Sequence, residues 1–477
     1  MPTAFLRCTT AFAILALAGA PSHAQRASQP DWAAIETETL RHFQALLRFD
    51  TSDPPGKEAP AVEYLKRTLE SEGIPVQTFA LDPNRPNLVA RLRGNGSKRP
   101  ILIMGHTDVV NVDPAKWKHP PFSATLDSGY VYGRGAVDDK DNVVAGLMLM
   151  LTLKRLNVPL DRDVIFLAEA GEEGSTRFGI QFMVNNQFPL IDAEYCLAEG
   201  GGVARAGGRV KYAAVSTTEK IPRAIELTAR GPAGHGSVPL MGNAVVHLSR
   251  AITRLGSWRA PVNLNETTRA YFRRLAGISS PDSAERYLAV LDADPAKVAA
   301  VDEYFVAKEP GHASVIRTSV SPNIVQGGYR VNVIPSEAKA TLDVRMVPGE
   351  SPEAFLETIR KVVDDPAVTV AFAQRDTRPE TPNAKLDTEA FRAIEAANTR
   401  HYSTITLPTM LTGATDMAYL RAKGMQCYGI GPASDIEDGP KGFGAHSDQE
   451  RIRESDLHKF VRVQYDVVEQ LARRPGA

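Results

Sequence analysis

The feature that most constrains the fold is the alternation of short apolar runs with helical patterns in the first 200 residues. Runs rich in β-forming residues occupy positions 101–104, 164–168 and 195–198, and a long apolar helix is predicted over 138–156. Strands that alternate with helices are typical of parallel sheets, because a parallel connection needs a crossover that usually contains a helix. The sequence therefore predicts an α/β layer with a largely parallel sheet.

A change of pattern near residue 219 predicts a second domain. Strand-like sequence, including 323–333, flanks charged, Ala-rich helical sequence at 266–308, and the α/β pattern then resumes. The chain of 477 residues is also longer than one compact core usually holds. We therefore expect an inserted domain over 219–346 within an α/β domain made of 25–218 and 347–477.

The first 24 residues have the pattern of a cleaved signal peptide. Arg7 is followed by an apolar stretch at 11–20 and by the small-residue site Ser22-His23-Ala24. The alternative is a membrane anchor, but about ten apolar residues are too few to span a bilayer. We therefore expect a secreted or periplasmic protein with no stable membrane insertion.

Two cysteines remain in the mature chain, Cys196 and Cys427. Both lie in short apolar runs and are interpreted as buried thiols, although export would permit one disulfide. Two cysteines exclude a disulfide framework as the basis of the fold.

The charge balance and the absent motifs exclude several classes of function. Lys and Arg number 55 against 56 Asp and Glu, and this near-neutral balance argues against nucleic acid as a partner. The sequence has no G-x-x-x-x-G-K-[ST] phosphate loop, no G-x-S-x-G nucleophile elbow and no H-E-x-x-H zinc helix.

Potential metal ligands follow the predicted strands. His106 ends the run at 101–105, and Asp108 two residues later could fix its tautomer. Asp138 follows the glycine-rich G-R-G at 133–135. Taken singly, a histidine after a strand is more often structural, and a role for Asp138 as the N-cap of the following helix is as well supported as a role in metal binding.

Four more potential ligands extend this set. Glu172 and Glu173 follow the strand at 164–168, Glu199 follows the strand at 195–198, and His446 lies in a glycine-flanked segment far downstream. An acidic pair alone is usually a solvated loop. All of these segments are nevertheless predicted at strand ends, where open α/β sheets bind ligands. Together they supply enough imidazole and carboxylate groups for two divalent metals that share one carboxylate, with Zn²⁺ favoured and Co²⁺ or Mn²⁺ as substitutes.

The order and spacing of these segments resemble the co-catalytic zinc peptidases and deacylases of clan MH. This family includes aminoacylase-1, carboxypeptidase G, succinyl-diaminopimelate desuccinylase and acetylornithine deacetylase. The resemblance covers essentially the whole mature chain. The Pro-Phe-Ser segment at 121–123 is most similar to secreted members such as the Gly-X carboxypeptidase. The resemblance implies a zinc-peptidase catalytic domain with a mixed, mostly parallel sheet, helices on both faces, and an inserted α+β lid or dimerisation domain.

The resemblance also implies how the metal ligands are divided. His106 and Glu199 would bind one zinc ion. Glu173 and His446 would bind the other. Asp138 would bridge both ions, which gives two zinc ions per subunit.

Three further features of this site are implied in the same way. Glu172 would be the general base, Asp108 would orient His106, and the peptide bond between Asp138 and Asp139 would be cis.

The inserted domain resembles the family at three segments. The segment G-H-G-S-V-P at 234–239 contains His235, which in the family steadies the oxyanion, often in the site of a partner subunit. The segments N-V-I-P at 332–335 and D-V-R at 343–345 contain Asn332 and Arg345, which would hold the substrate carboxylate. The alternative for Arg345 is a structural ion pair with Asp343 or Glu337.

Gly413 and Thr415 lie in a segment that resembles the family's glycine-rich substrate loop, and the alternative there is a plain turn with an N-cap. A homodimer through the inserted domain is expected from the resemblance, although the 266–308 insertion departs from the shorter members.

These observations predict a secreted dinuclear zinc hydrolase that cleaves an amide bond next to a free carboxylate. Its substrate would be a small peptide or an N-acyl amino acid, as for a carboxypeptidase or an N-acyl amino acid amidohydrolase. The alternatives are an aminopeptidase or dipeptidase of the same clan, and a non-catalytic periplasmic binding protein on the same scaffold.

Overall fold

A computed structural model of the protein describes Met1 and residues 29–374 and 378–474. The predicted signal peptide, apart from Met1, lies outside the described residues. Among the helices that the structure describes, none combines the length and the apolar character needed to cross a bilayer.

The helices of the described residues are α1 Trp32–Leu47, α2 Ala59–Ser71, α3 Lys140–Arg155, α4 Ile180–Asn186, α5 Phe188–Ile191, α6 Ala244–Ser257, α7 Glu266–Ala276, α8 Pro281–Ala289, α9 Pro295–Lys308, α10 Pro310–Val315, α11 Pro352–Val363, α12 Glu389–Tyr402, α13 Met417–Arg421 and α14 Glu454–Ala472.

The strands are β1 Ser52–Asp53, β2 Val76–Phe79, β3 Asn87–Leu92, β4 Ile101–His106, β5 Val109–Val110, β6 Thr125–Asp127, β7 Tyr130–Tyr132, β8 Val164–Glu169, β9 Tyr195–Ala198, β10 Gly202–Ala206, β11 Arg209–Glu219, β12 Ile221–Arg230, β13 Gly234–His235, β14 Ser319–Gly327, β15 Val333–Ile334, β16 Glu337–Met346, β17 Val368–Phe372, β18 Thr406–Leu411, β19 Gln426–Gly429, β20 Ala433–Asp435 and β21 Arg451–Arg453.

A ten-stranded mixed sheet forms the centre of the larger domain. Its order is β2-β3-β8-β4-β9-β19-β11-β10-β20, and β18 also pairs with β11. The four central strands β8, β4, β9 and β19 are all parallel, so their carboxyl ends meet at one edge of the sheet. The predicted α/β fold with a mixed, mostly parallel sheet is confirmed.

Alternate residues of the central strands pack on opposite faces of this sheet, as the two-residue period of a strand requires. Ile101 and Ile103 join a core with α1, α3 and α14, whereas Leu102 and Met104 join a second core with α4 and α13. Helices therefore cover both faces, and this accounts for the almost uninterrupted apolar character of the strands.

The inserted domain contains a four-stranded antiparallel sheet in the order β14-β16-β12-β17. Helices α6 and α11 pack on one face of it, and their apolar side chains share one core with β12, β16 and β17. The inserted domain therefore extends to Phe372, and the prediction that it ends at 346 is wrong. The strand predicted over 323–333 is also divided, because β14 ends at Gly327 and β15 begins at Val333.

The helical segment α7–α10 is a separate unit with its own small core of Phe272, Val290, Val301, Phe305 and Ile316. Its helix α7 packs on β18 of the large sheet. The hydroxyl groups of Thr267 and Thr217 lie 2.8 Å apart at this contact. The helical segment α7–α10 therefore packs against the larger domain at β18.

Candidate metal centre

Three of the central strands deliver the predicted ligands to one edge of the large sheet. His106 is the last residue of β4, Glu172 and Glu173 lie in the turn after β8, and Glu199 directly follows β9. Because these strands are parallel neighbours, their carboxyl ends bring the four side chains together.

The other two predicted ligands reach the site from loops. Asp138 lies between β7 and α3, directly before a cis peptide bond to Asp139, and His446 lies between β20 and β21. Neither residue directly follows a strand of the large sheet, so loops rather than strand ends position this pair. The cis bond implied by the family resemblance is present.

A buried carboxylate shapes the loop that carries Asp138. Glu450 is completely buried and accepts hydrogen bonds from the backbone N–H groups of Gly135 and Val137. The same carboxylate also forms an ion pair with the guanidinium of Arg134, 2.6 Å away. These contacts fix the glycine-rich segment that leads into Asp138.

Asp138 joins the two predicted ligand groups. Its Oδ1 lies 3.1 Å from His106 Nε2, and its Oδ2 lies 3.0 Å from His446 Nε2. His446 Nε2 is also 2.8 Å from Glu173 Oε1. Candidate ligand atoms of His106, Asp138 and Glu199 all lie within 4.8 Å of one another, and so do those of Asp138, Glu173 and His446.

Asp108 supports the site through its backbone as well as its side chain. Its carbonyl oxygen lies 3.1 Å from His106 Nδ1 and can accept a hydrogen bond from Nδ1–H, which leaves Nε2 free to bind a cation. Its buried carboxylate accepts hydrogen bonds from the backbone N–H groups of Glu172, at 3.1 Å, and Glu173, at 3.0 Å. One residue therefore positions both the His106 ring and the acidic turn.

The electrostatics of this cluster favour a bound cation. Burial raises the pKa of the Glu199 carboxyl well above its usual range, and the negative charges of Glu172 and Asp138 raise it further. Burial also raises the pKa of Glu172 to about 8, against the opposing charge of a nearby arginine. Divalent cations would offset the mutual repulsion of these buried carboxylates. The mixture of imidazole and carboxylate donors fits Zn²⁺, Co²⁺ or Mn²⁺.

A third acidic group nearby is organised as an ion-pair network instead. Asp53, Glu58 and Asp108 each offer an oxygen within 4.8 Å of the others. Arg85 lies among them, with its Nη2 2.6 Å from Asp53 and 2.7 Å from Glu58. Since a buried guanidinium already provides the compensating charge, this group is not a candidate metal site.

Arg378 is a site residue that the sequence analysis missed. Its Nη2 lies 2.6 Å from Glu172 Oε1, and its Nη1 lies 2.7 Å from Asp416 Oδ1. Arg378 belongs to a loop after β17 with no periodic pattern, so no sequence signal identified it. It brings a positive charge directly to the predicted general base.

Two of the predicted residues of the inserted domain, His235 and Asn332, lie on neighbouring segments. His235 pairs with Val333 across β13 and β15, and the neighbouring Gly236 N–H donates to the carbonyl of Asn332 at 2.9 Å. His235 is exposed, and its Nδ1 interacts with Ser237. The His235 ring is therefore accessible from solvent.

Arg345 forms the ion pair that the sequence analysis gave as its alternative role. Its Nε lies 2.9 Å from Asp343 Oδ1. One third of its side chain is exposed, and its terminal nitrogens make no hydrogen bond to any described residue. The guanidinium therefore still has donors for an anion.

The loop after β18 positions Gly413 and Thr415 beside the site. The hydroxyl of the buried Thr415 donates to Glu219 at 2.7 Å, and its N–H donates to the same carboxylate. Asp416 makes no capping hydrogen bond to α13, so a plain N-cap does not describe it. A Cβ added at Gly413 would meet no neighbour within 4 Å.

Comparison with known proteins assigns this arrangement to a family. The sequence profile described as Peptidase family M20/M25/M40 matches residues 102–470. Aminoacylase-1A of Rattus norvegicus is 26% identical over 448 residues, which cover 92% of this chain and 97% of that protein. The probable carboxypeptidase S-like 2 of Dictyostelium discoideum is 28% identical over 329 residues, which cover 67% of this chain but only 62% of that protein.

A solved structure shows the same fold. The M20 family metallo-carboxypeptidase Sso-CP2 from Sulfolobus solfataricus superposes with a TM-score of 0.68 at 21% identity. The superposition covers 91% of this chain and 99% of the other.

Proposed function

Since this chain belongs to peptidase family M20/M25/M40 and is a metal-dependent hydrolase, we propose that it uses two zinc ions to cleave an amide bond next to a free carboxylate. Its class would be a carboxypeptidase or an N-acyl amino acid amidohydrolase. The observation that carries this proposal is the position of Asp138, whose two oxygens face two separate ligand groups.

The metal ligands divide between two cations that share Asp138. One ion would be held by His106 and Glu199, and the other by Glu173 and His446. Such ions supply Lewis acidity to the scissile carbonyl and lower the pKa of water.

Glu172 is the residue best placed to move protons. Glu172 is next to the predicted ligand Glu173 in sequence, but it belongs to neither ligand group. Its side chain is only 9% exposed. As general base it takes a proton from the attacking water. It then passes that proton to the leaving nitrogen as the C–N bond breaks.

The inserted domain supplies the groups that recognise the substrate. Arg345 has free donors for a carboxylate, and Asn332 lies beside His235, which would donate a hydrogen bond to the oxyanion after closure. An aminopeptidase would instead need an acidic group to bind the substrate ammonium. The free donors of the Arg345 guanidinium favour a carboxylate.

A homodimer through the inserted domain is part of this proposal. Strand β14 is an edge of its sheet, and large apolar side chains near this edge and near His235 are exposed: Val238, Met241, Val325, Tyr329 and Val331. Such an apolar patch beside an unpaired edge is typical of an interface. Sedimentation analysis should find a dimer, and a Val331→Asp variant should be monomeric.

Export is also part of the proposal, on the evidence of residues 1–24 alone. N-terminal sequencing of protein from the secreting host should show a mature chain that begins near residue 25. An unprocessed chain that stays in the cytoplasm would contradict it.

Hydrolysis of defined substrates tests the proposed reaction. The zinc-loaded protein should release amino acids from N-acetyl amino acids or from dipeptides with a free carboxylate. The matching amides, which lack that carboxylate, should react far more slowly. Chelation should abolish activity, and added zinc or cobalt should restore it. Equal rates for acids and amides would exclude the carboxylate-dependent class.

A further inference from the structure

A cavity of about 480 Å³ lies between the inserted helical segment and the large domain. One wall is formed by α7 and α10, including Tyr271, His312 and Val315, and the other by the end of β18, including Met410 and Leu411. The volume falls within the range of about 300–1,000 Å³ that is common for small-molecule sites.

Three polar side chains of this cavity are bonded to one another. His312 Nδ1 lies 2.6 Å from Glu309 Oε2, and His312 Nε2 lies 2.9 Å from the hydroxyl of Tyr271. Because these three groups satisfy each other, they leave little hydrogen-bonding capacity for a ligand. The hydroxyl groups of Thr268, Thr409 and Thr412 also line the cavity, and Val315, Met410 and Leu411 supply an apolar surface that suits an apolar occupant.

The cavity adjoins the candidate metal centre through Leu411. A Cβ added at Gly200 would lie 2.6 Å from Leu411 Cδ1, so this side chain packs directly on Gly200. Gly200 follows the predicted ligand Glu199, and β18 itself leads into the loop of Gly413 and Thr415. The side chain of Leu411 would therefore separate an occupant of the cavity from Gly200, the residue after the predicted ligand Glu199.

Positive charge flanks the same cavity. The buried ammonium of Lys220 lies 3.3 Å from Ser314 Oγ, on α10, and 3.1 Å from Ser319 Oγ. The Lys220 N–H also donates to the carbonyl of Leu411 at 2.9 Å. Ser319 is the direct strand partner of Arg345. Burial lowers the pKa of Lys220 and the charge of Arg345 lowers it further, so the two cations lie close to each other.

We infer that the cavity binds the apolar side chain of the amino acid that carries the free carboxylate, with that carboxylate held on the Arg345 and Lys220 side. Lys220 acts behind the two serine hydroxyls and is a positioning residue. The inference rests on the proposed function, and it adds a preference for large apolar residues, aliphatic or aromatic, at the carboxylate end of the substrate.

Two substrate series test this inference. In the first, the N-acetyl group is constant while the side chain lengthens from alanine through norvaline and norleucine to 2-aminooctanoate. We expect kcat/KM to rise about fourfold per methylene, the factor that corresponds to about 0.8 kcal/mol per buried CH₂. In the second series, alanine is constant while the acyl group lengthens from acetyl to hexanoyl, and kcat/KM should change much less.

The outcomes separate this inference from the proposed function. If no member of either series is hydrolysed by zinc-loaded protein, the proposed function fails. If N-acetylalanine is hydrolysed but the side-chain series is flat, or if only the acyl series rises, the assignment of the cavity is overturned.

Variants that fill the cavity provide the second measurement. Gly311 lines the cavity, its φ lies outside the left-handed region, and a Cβ there meets nothing within 4 Å, so Gly311→Phe should fold. Gly311→Phe and Val315→Phe should each lower the norleucine-to-alanine ratio of kcat/KM by about tenfold or more, which corresponds to the loss of two or more methylene contacts. Zinc content and melting temperature should change little, so that a lower ratio reports on the cavity and not on the metal site or the fold.

Matched controls place the same side chain elsewhere. Gly256→Phe changes an exposed glycine at the end of α6, and Val306→Phe changes a half-exposed valine of α9; neither residue lines the cavity. Both controls should keep the wild-type ratio. An unchanged ratio in both cavity variants would also overturn the inference.

Discussion

Replacement of Arg378 by methionine should move the acidic limb of the pH–rate profile to higher pH. Arg378 lies 2.6 Å from Glu172, and its charge opposes the effect of burial on the pKa of that carboxyl, which is raised to about 8. An adjacent opposite charge usually lowers a carboxyl pKa by about 1–3 units, which corresponds to about 1.4–4 kcal/mol. A general base must be deprotonated to act, so loss of the cation should raise the pH at which activity falls.

The assay is kcat against pH for the zinc-loaded wild type and for Arg378→Met. Bound cations lower the pKa of Glu172 in both proteins. The prediction therefore concerns the difference in pH between the acidic limbs of the wild type and Arg378→Met, which should be about 1–3 pH units. Arg378→Lys keeps the charge and should shift the limb by much less. Zinc content must be equal in all three proteins. An unshifted limb with a lower kcat would refute this role of Arg378 and leave it as a packing residue.

Three further predictions concern the base, the inserted domain and the ion-pair network. Glu172→Gln should keep its zinc while kcat falls at least about a hundredfold, whereas Glu173→Gln should also lose zinc by elemental analysis; exchanged phenotypes would reverse the two assignments. His235→Ala should lower kcat about a hundredfold to a thousandfold, the cost of one oxyanion donor, with zinc content unchanged, and mixing it with Glu172→Gln chains should restore activity if the histidine acts across a dimer; wild-type activity in His235→Ala would make it merely structural. Arg85→Met should destabilise the protein by about 3–5 kcal/mol in urea unfolding, since it leaves two buried carboxylates unpaired; a loss below about 1 kcal/mol would show that these carboxylates are neutral in the fold.

The ligands that follow strands could be predicted because sheet geometry is regular. His106, Glu173 and Glu199 each follow an apolar run, and the carboxyl ends of parallel strands necessarily meet at one edge. The position of Asp138 and His446 depends on loops, and Glu450 stabilises one of these from more than 300 residues away. Their roles could be assigned only by resemblance to the family.

The boundary of the inserted domain illustrates a different limit. The sequence at 352–372 shows a helix followed by a strand, a pattern that is compatible with either sheet. Only the pairing of β17 with β12, and the burial of Phe355 and Ile359 in the core of the inserted domain, decide which sheet it joins. Arg378 and the cavity beside β18 were missed for the same reason, since each depends on contacts between segments distant in the chain.

The metal content of the purified chain decides whether the site is dinuclear. After zinc loading, each chain should contain close to two zinc ions, because two ligand groups share Asp138. Asp138→Asn should impair the binding of both ions, whereas His446→Ala should impair one. An active wild-type protein with one ion or none, or an Asp138→Asn protein that retains both, would contradict the dinuclear site.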